Sequence, residues 1–179
     1  VADKDELSLI MPVWSPGSYM VREFSRNVES FQANVPWKKS DKCTWTLDTK
    51  DQEVLIIDYD VYAFEISVRH SYVDANWAFL HGVSVFMYVD GAKDESIELN
   101  INSHANWKDV EVALPKIRQR KNSFSCENYD LLVDSPIALG NFDKGNYESG
   151  GVEHKVVMIG DGNYNMEKIL ADFKLISDV

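Results

Sequence analysis

Hydrophobic and polar residues alternate along most of the chain, which is the pattern of β-strands with one face buried and one face in water. In the longest alternating stretch every second residue from Leu55 to Ala63 is apolar, and Asp58 and Asp60 lie on the other face. Residues 78–89 are mostly apolar and aromatic, which predicts a strand buried on both faces. The predicted strands are residues 6–11, 26–35, 43–47, 53–68, 78–89, 97–101, 107–114 and 156–159.

Two segments have a helical period instead. Residues 128–138 predict a short helical turn that ends at Pro136, because proline cannot continue a helix. Near the C-terminus, apolar residues recur at a spacing of three and four, with charged residues between them. This spacing predicts a C-terminal helix, whose start is capped by Asn163 or Asn165.

The turn signals complete the predicted architecture. Asp90 and Gly91 predict a hairpin-type turn, and the glycine-rich residues 141–151 predict a loop. The fold is therefore predicted to be mostly β, either an antiparallel β-sandwich-like domain or an irregular open-sheet domain. The β domain is expected to span residues 1–162, with residues 163–179 forming the final helix. The shortness of the first strand suggests that a preceding strand has been removed.

The segment Met11–Asn27, MPVWSPGSYMVREFSRN, concentrates unusual residues. Ser15-Pro16-Gly17-Ser18 within it predicts a type II turn, because proline presets the first central φ and glycine accepts the positive φ of the second. Trp14 and Tyr19 flank this turn, and Arg22, Glu23 and Arg26 follow it. A simple connection between two strands rarely contains so many special residues.

This segment, together with Tyr59–Arg69 and Glu127–Phe142, resembles the N-terminal domain of the glycyl aminopeptidase family of zinc metallopeptidases. The resemblance extends over nearly the whole chain. It implies a parent enzyme in which a mostly β N-terminal domain precedes a helical zinc catalytic domain, often followed by a PDZ domain. The zinc-binding sequence H-E-x-x-H does not occur among the 179 residues.

The resemblance sets the functional expectations. The fragment is expected to be inactive alone, the zinc is expected to lie in the missing catalytic domain, and the final helix is expected to lead into that domain. Its partners would be its own catalytic domain and the peptide substrate of the parent enzyme. Preference for short peptides or for N-terminal glycine would follow if the β domain covers part of the cleft.

Composition and charge exclude some classes of partner. The formal net charge is −11, which excludes a phosphate-binding nucleic-acid face, and no apolar run is long enough to cross a bilayer. Cys43 and Cys126 are far apart in sequence; two buried thiols are favoured over a disulfide between them. For a soluble protein of bacterial type, the sequence is compatible with both a cytoplasmic and an exported location.

No residue is assigned a catalytic or metal-binding role. The four histidines are isolated from one another in sequence, whereas a peptidase zinc site commonly places two of them one helical turn apart. The G-x-S-x-G signature of a serine nucleophile is also absent. The alternation explains Asp58 and Asp60 as solvated residues rather than a catalytic pair.

Two segments remain as candidate functional sites. Tyr129, Asp130, Asp134 and Ser135 are expected to face the catalytic domain and help shape the substrate cleft, where a carboxylate would attract the ammonium group of a peptide. The alternative is that the two aspartates only cap a short helix. Arg22 and Glu23, with Arg26, form either an interdomain set of ion pairs or a local cluster.

Two other functions compete with the peptidase domain. One is a carbohydrate- or protein-binding β-sandwich module whose ligand platform consists of Trp14, Trp37, Trp77 and Trp107. The other is a purely structural extracellular domain. A structural domain predicts no large exposed apolar patch, whereas a domain separated from its partner should expose one.

Overall fold

A computed structural model describes residues 5–15 and 17–179. The strands are Glu6–Ile10 (β1), Val28–Ala33 (β2), Trp37–Lys39 (β3), Thr44–Asp48 (β4), Ile57–Val61 (β5), Tyr72–Val73 (β6), Ala78–Leu80 (β7), Tyr88–Val89 (β8), Ile97–Asn100 (β9), Asp109–Val112 (β10), Ser123–Cys126 (β11), Ile137–Gly140 (β12), Asp143–Ser149 (β13) and Val152–Met158 (β14). The helices are Tyr129–Val133 (α1) and Met166–Ser177 (α2), with 3-10 turns at Phe24–Asn27 and Gly82–Ser84.

The strands form several small antiparallel sheets. One sheet has the order β3-β4-β1-β8, and a second has the order β10-β12-β7-β6. Three two-stranded ribbons, β2-β5, β9-β11 and β13-β14, complete the set. The mostly β prediction is confirmed, and the several small sheets agree with the irregular open-sheet alternative.

Two buried clusters form the core. The first, core A, lies beneath β1 and β4 and consists of Leu9, Met11, Phe24, Val35, Trp45, Leu47 and Val83. The ribbon β2-β5 packs on it through Phe31, whose ring stacks on Trp45 at 5.3 Å and on Tyr59 at 6.4 Å between centroids. These aromatic contacts fix the ribbon against the first sheet.

The second cluster, core B, lies among β7, β9 to β12 and α1. Its members are Ala78, Val110, Val112, Leu114, Phe124, Cys126, Tyr129, Leu132, Ile137 and Leu139. The two cores meet at Val133, which packs against both of them. Gly82 lies directly against this residue, because a Cβ atom at position 82 would be only 2.5 Å from the Val133 Cα. The absence of a side chain at Gly82 therefore allows the 3-10 turn and α1 to approach each other.

The alternating pattern identified several elements correctly. Strands occur within or close to most of the predicted ranges, and the Asp58 and Asp60 side chains are exposed as expected. The C-terminal helix is also confirmed, and Asn165 is its cap, since its side chain accepts a hydrogen bond from the Lys168 N–H at 3.0 Å. The helix packs on β13, where Leu170 lies over Gly145. The short helix predicted near residues 128–138 corresponds to α1.

The prediction of one doubly buried strand over residues 78–89 was wrong. The segment is divided into β7, the 3-10 turn at Gly82–Ser84, and β8. At the 3-10 turn the chain lies against α1, where Gly82 contacts Val133. A turn does form at Asp90 and Gly91, where the Ala92 N–H donates to the Val89 carbonyl at 3.1 Å. It does not close a hairpin, since β8 pairs with β1 whereas β9 pairs with β11.

The prediction of a loop over residues 141–151 was wrong as well. Residues Asp143–Ser149 form β13, which pairs with β14 over seven residues. Gly150 and Gly151 connect the two strands with φ of 58° and 78°, as a two-residue type I′ hairpin turn requires. The pattern also missed β3, β6, β11 and β12, which are short.

The two cysteines are both free thiols, Cys43 half-buried and Cys126 buried. Of the helices within the described ranges, none combines the length and the apolar character needed to cross a lipid bilayer.

Candidate functional site

The first candidate segment is built around α1. Asn128 caps this helix, because its side chain accepts a hydrogen bond from the Leu131 N–H at 2.8 Å. The cap places Tyr129 inwards, and its phenol donates to the Phe86 carbonyl at 2.7 Å. Burial raises the pKa of the Tyr129 phenol, so it stays neutral and acts as a hydrogen-bond donor within the core.

The aspartates of this segment face water. The Asp130 carboxylate lies 3.8 Å from the Lys93 ammonium group, and that ammonium group sits over the Tyr88 ring at 4.3 Å. Asp134 is exposed at the C-terminal end of α1, while the buried Ser135 hydroxyl donates to the Leu131 carbonyl at 2.8 Å. Tyr129 and Ser135 are therefore used by the fold, whereas both carboxylates are exposed and Asp130 already has the Lys93 ammonium group beside it.

Replacing Tyr129 by phenylalanine tests whether its buried hydrogen bond stabilises the fold. The Tyr129→Phe variant removes the donor to the Phe86 carbonyl and is expected to lower the free energy of unfolding by about 1–2 kcal/mol. Tyr62→Phe, at an exposed phenol, is expected to change it by less than about 0.5 kcal/mol. Equal losses in urea denaturation would show that the buried hydrogen bond is not stabilising.

The effect of Tyr129→Phe on the free energy of unfolding is expected to depend on pH. Because burial raises the folded-state pKa of Tyr129, its contribution to stability is complete below the unfolded-state value of about 10 and decreases as the pH rises above it. The stability of Tyr129→Phe is therefore expected to fall less steeply above that pH than the stability of the parent chain.

The second candidate segment is the turn near the start of the chain. The Ser18 N–H donates to the Ser15 carbonyl at 3.0 Å, and Gly17 has a φ of 80°, as the second central residue of a type II turn does. Pro16, on which the predicted turn type also rests, lies outside the described residues. The Arg22 guanidinium donates to the Ser18 hydroxyl through Nε at 3.3 Å and Nη2 at 3.1 Å. Arg22 thus braces the turn.

Glu23 has a different partner. Its carboxylate accepts a hydrogen bond from the Lys42 ammonium group at 2.9 Å, and this contact lowers the pKa of the Glu23 carboxyl. Within residues 5–15 and 17–179, neither Arg22 nor Glu23 forms an ion pair with a residue of the α1 segment. The structure therefore keeps the two candidate segments as separate features.

A third polar group was missed by sequence reasoning. The buried ring of His70 places Nδ1 3.1 Å from the Glu65 carboxylate and 3.0 Å from the Ser67 hydroxyl. Arg26, Glu65 and His70 line a cavity of about 150 Å³ beside the 3-10 turn at Phe24–Asn27. The group joins residues 65–70 to that turn, where the His70 and Phe24 rings meet edge to face at 5.7 Å.

The four tryptophans proposed as a ligand platform are placed by separate contacts. Trp37 packs on Phe31, Trp77 packs on Tyr72, and the Trp107 indole donates to the Ala75 carbonyl at 3.3 Å. Trp14 is exposed next to the braced turn.

A metal ion needs several ligand side chains close together. Among residues 5–15 and 17–179, no three histidine, cysteine, aspartate or glutamate side chains lie close enough to hold one together. A catalytic zinc needs three protein ligands and an open position. This part of the chain therefore does not fit a zinc ion.

Comparisons with known proteins match the chain to a protein family and to solved structures. A family model described as the peptidase M61 N-terminal domain matches residues 1–141. The crystal structure of an aminopeptidase N family protein from Idiomarina loihiensis superposes on the chain with a TM-score of 0.90 and 29% sequence identity. The match covers 98% of this chain and 31% of that chain, so the present sequence spans about a third of the related structure. Curated protein sequences give no significant match.

Proposed function

The chain belongs to the family of peptidase M61 N-terminal domains, and on that basis we propose that it is the non-catalytic N-terminal domain of a zinc-dependent aminopeptidase. The domain packs on the catalytic domain of its parent enzyme and shapes the substrate cleft. The single observation that carries this proposal is the family match over residues 1–141. The similar fold in an aminopeptidase N family protein, where it accounts for 31% of the chain, supports it.

The α1 segment is the proposed contribution to the cleft. Asp130 and Asp134 present exposed carboxylates at the two ends of one short helix. An aminopeptidase substrate carries a free ammonium group, which such carboxylates attract. Tyr129 and Ser135 hold the helix in place through their hydrogen bonds to backbone carbonyls. The net charge of −11 adds a field of the same sign.

The zinc of the parent enzyme is assigned to the catalytic domain. The described residues of this chain provide no metal-binding group, so no step of the hydrolysis is assigned to them. A zinc ion polarises the peptide carbonyl and activates water where its ligands hold it. This chain contributes position and charge near the substrate.

The test compares the 179-residue chain with the full product of its gene, using glycyl and alanyl amides. The full product is expected to hydrolyse these substrates and to lose activity in a zinc chelator, whereas the 179-residue chain is expected to hydrolyse neither. Asp130→Asn with Asp134→Asn is expected to raise KM by about tenfold, because the removed charges attract the substrate ammonium group. Asp58→Asn, at an exposed carboxylate on β5, is the matched control.

Three results would contradict the proposal. A full product without zinc-dependent hydrolysis would remove the peptidase assignment. Turnover by the repurified 179-residue chain would show that it is itself catalytic. An unchanged KM in the double variant would exclude the α1 carboxylates from the cleft and would leave the peptidase assignment in place.

A further inference from the structure

The residues that follow β5 expose apolar side chains to water. On the outward face of β5 the alternation gives Asp58 and Asp60, but the next positions of the same parity are Tyr62, Phe64, Ile66 and Val68. All four are exposed, Ile66 by 72% and Val68 by 84% of their surface. The strand ends at Val61, so these four apolar side chains lie in the irregular stretch that follows it.

A second exposed apolar group lies in the segment that contains the braced turn. Trp14, Tyr19, Met20 and Val21 are all exposed, Tyr19 by 97% of its surface. The backbone that carries them is fixed, because the Arg22 N–H donates to the Val13 carbonyl and the Arg22 side chain binds Ser18. These side chains are held in position without burying their apolar surface, which makes them pre-organised for a partner.

The two groups are joined through the core. Phe24 follows the first group by three residues and contacts the His70 ring, which closes the turn after the second group. Glu65 and Ser67 hold that ring in place from within the second group. We refer to Trp14, Tyr19, Met20, Val21, Tyr62, Phe64, Ile66 and Val68 together as the apolar face.

The composition of the apolar face is that of a protein interface. Interface centres are enriched in aromatic residues, methionine and arginine, and depleted in lysine and acidic residues. Three of the five arginines of the chain, Arg22, Arg26 and Arg69, lie within or beside this face. Glu23 is paired with the Lys42 ammonium group, and the Glu65 carboxylate lies 3.1 Å from the His70 Nδ1. The exposed Asp58 and Asp60 precede Tyr62, so the rim of the face carries charges of both signs.

We propose that the apolar face docks on the catalytic domain of the parent enzyme, on a surface that is apolar at its centre and carries charges of both signs at its rim. This inference rests on the proposed function and adds which side of the domain makes the contact. The related aminopeptidase N family structure places this fold in a chain of which it is 31%, so a large further part of a chain is available there as a partner. Each of the two groups contains four exposed apolar side chains, more than scattered single surface residues would give.

Hydrogen exchange compares the 179-residue chain with the full gene product. Amides of residues 13–22 and 62–70 are expected to exchange about tenfold more slowly in the full product, because docking suppresses local opening. Residues 52–56, which contain the exposed Val54, provide the internal reference and are expected to exchange equally in both. This measurement needs no substitution, so it does not depend on whether a variant folds.

Variants then test the two groups separately in the full product. Ile66→Asp and Tyr19→Asp each place an unpaired carboxylate in the docked face and are expected to restore the exchange of the 179-residue chain there. Val54→Asp makes the same change at a residue that is 66% exposed on the opposite end of the β2-β5 ribbon, and is expected to leave exchange within about twofold.

The outcomes separate this inference from the proposed function. If the full product hydrolyses peptides in a zinc-dependent manner but residues 13–22 and 62–70 are not protected, the docking face is wrong and the peptidase assignment stands. If no zinc-dependent hydrolysis is found, the proposed function fails and the docking partner fails with it. A dimer of the 179-residue chain that Ile66→Asp dissociates would assign the apolar face to a second copy and overturn the proposal.

Discussion

Replacing Gly82 by alanine is expected to lower the free energy of unfolding by about 2–4 kcal/mol, because the new methyl group has no space. A Cβ atom there would lie 2.5 Å from the Val133 Cα and 2.9 Å from the Val133 carbonyl oxygen. Both atoms are backbone, so the clash cannot be relieved by rotating a side chain. Either α1 or the 3-10 turn must move, and this movement opens the junction between core A and core B.

Gly91→Ala is the control for Gly82→Ala. Gly91 has a φ of 77° and open space around its Cβ position, so alanine meets backbone strain but no neighbour. That strain costs about 1 kcal/mol. Urea denaturation gives both values. If the two variants lose the same stability, the close approach of Gly82 to Val133 does not hold the two cores together.

The position of Gly82 also explains why the segment 78–89 was mispredicted. A run of apolar residues indicates burial, but it does not tell an extended strand from a chain that turns inside the core. What ends β7 is the contact with Val133, which lies 51 positions further along the sequence. No local pattern contains that information. Strands whose burial alternates, such as β4 and β9, were predicted because one face of each is more buried than the other.

The strand β13 shows a second limit of the pattern. Its residues are largely polar, so composition indicated a loop. Contacts from other elements make it a strand: Lys144 pairs with Asp109 and Glu111, and Tyr147 stacks on His154 at 4.8 Å. The local signal that was available is the Gly150-Gly151 pair, because two adjacent glycines between short segments are typical of a type I′ hairpin turn.

For the candidate sites, sequence reasoning selected segments but not the contacts within them. The segments that contain Arg22 and Tyr129 were identified from the sequence, but the partners of these side chains were not, because Ser18 and the Phe86 carbonyl are placed by turns and tertiary contacts. The apolar face was missed although its signal is local. The prediction for residues 53–68 used the alternation of the buried face, which ends at Ala63. It did not use the change on the exposed face from the acidic Asp60 to the aromatic Tyr62.

Replacing Phe24 by alanine is expected to cost about 3–5 kcal/mol, the largest loss among the variants considered. The Phe24 ring is fully buried in core A and also meets the His70 ring. Removing it leaves a cavity between the core and the 3-10 turn at Phe24–Asn27. Phe64→Ala is the matched control in the 179-residue chain: that ring is exposed and stacks on Tyr72, so its loss is expected to cost less than about 1 kcal/mol.

The Phe24→Ala variant is also expected to act beyond its own core. The His70 ring contacts Glu65 and Ser67 as well as the Phe24 ring. The cavity left by Phe24→Ala therefore removes the contact that residues 65–70 make with core A. Hydrogen exchange of these amides is expected to rise by about tenfold more than that of β9 and β11, which lie in core B. A uniform increase across the chain would mean that Phe24 contributes only to global stability. A selective increase would show that the Phe24 ring holds residues 65–70 in place.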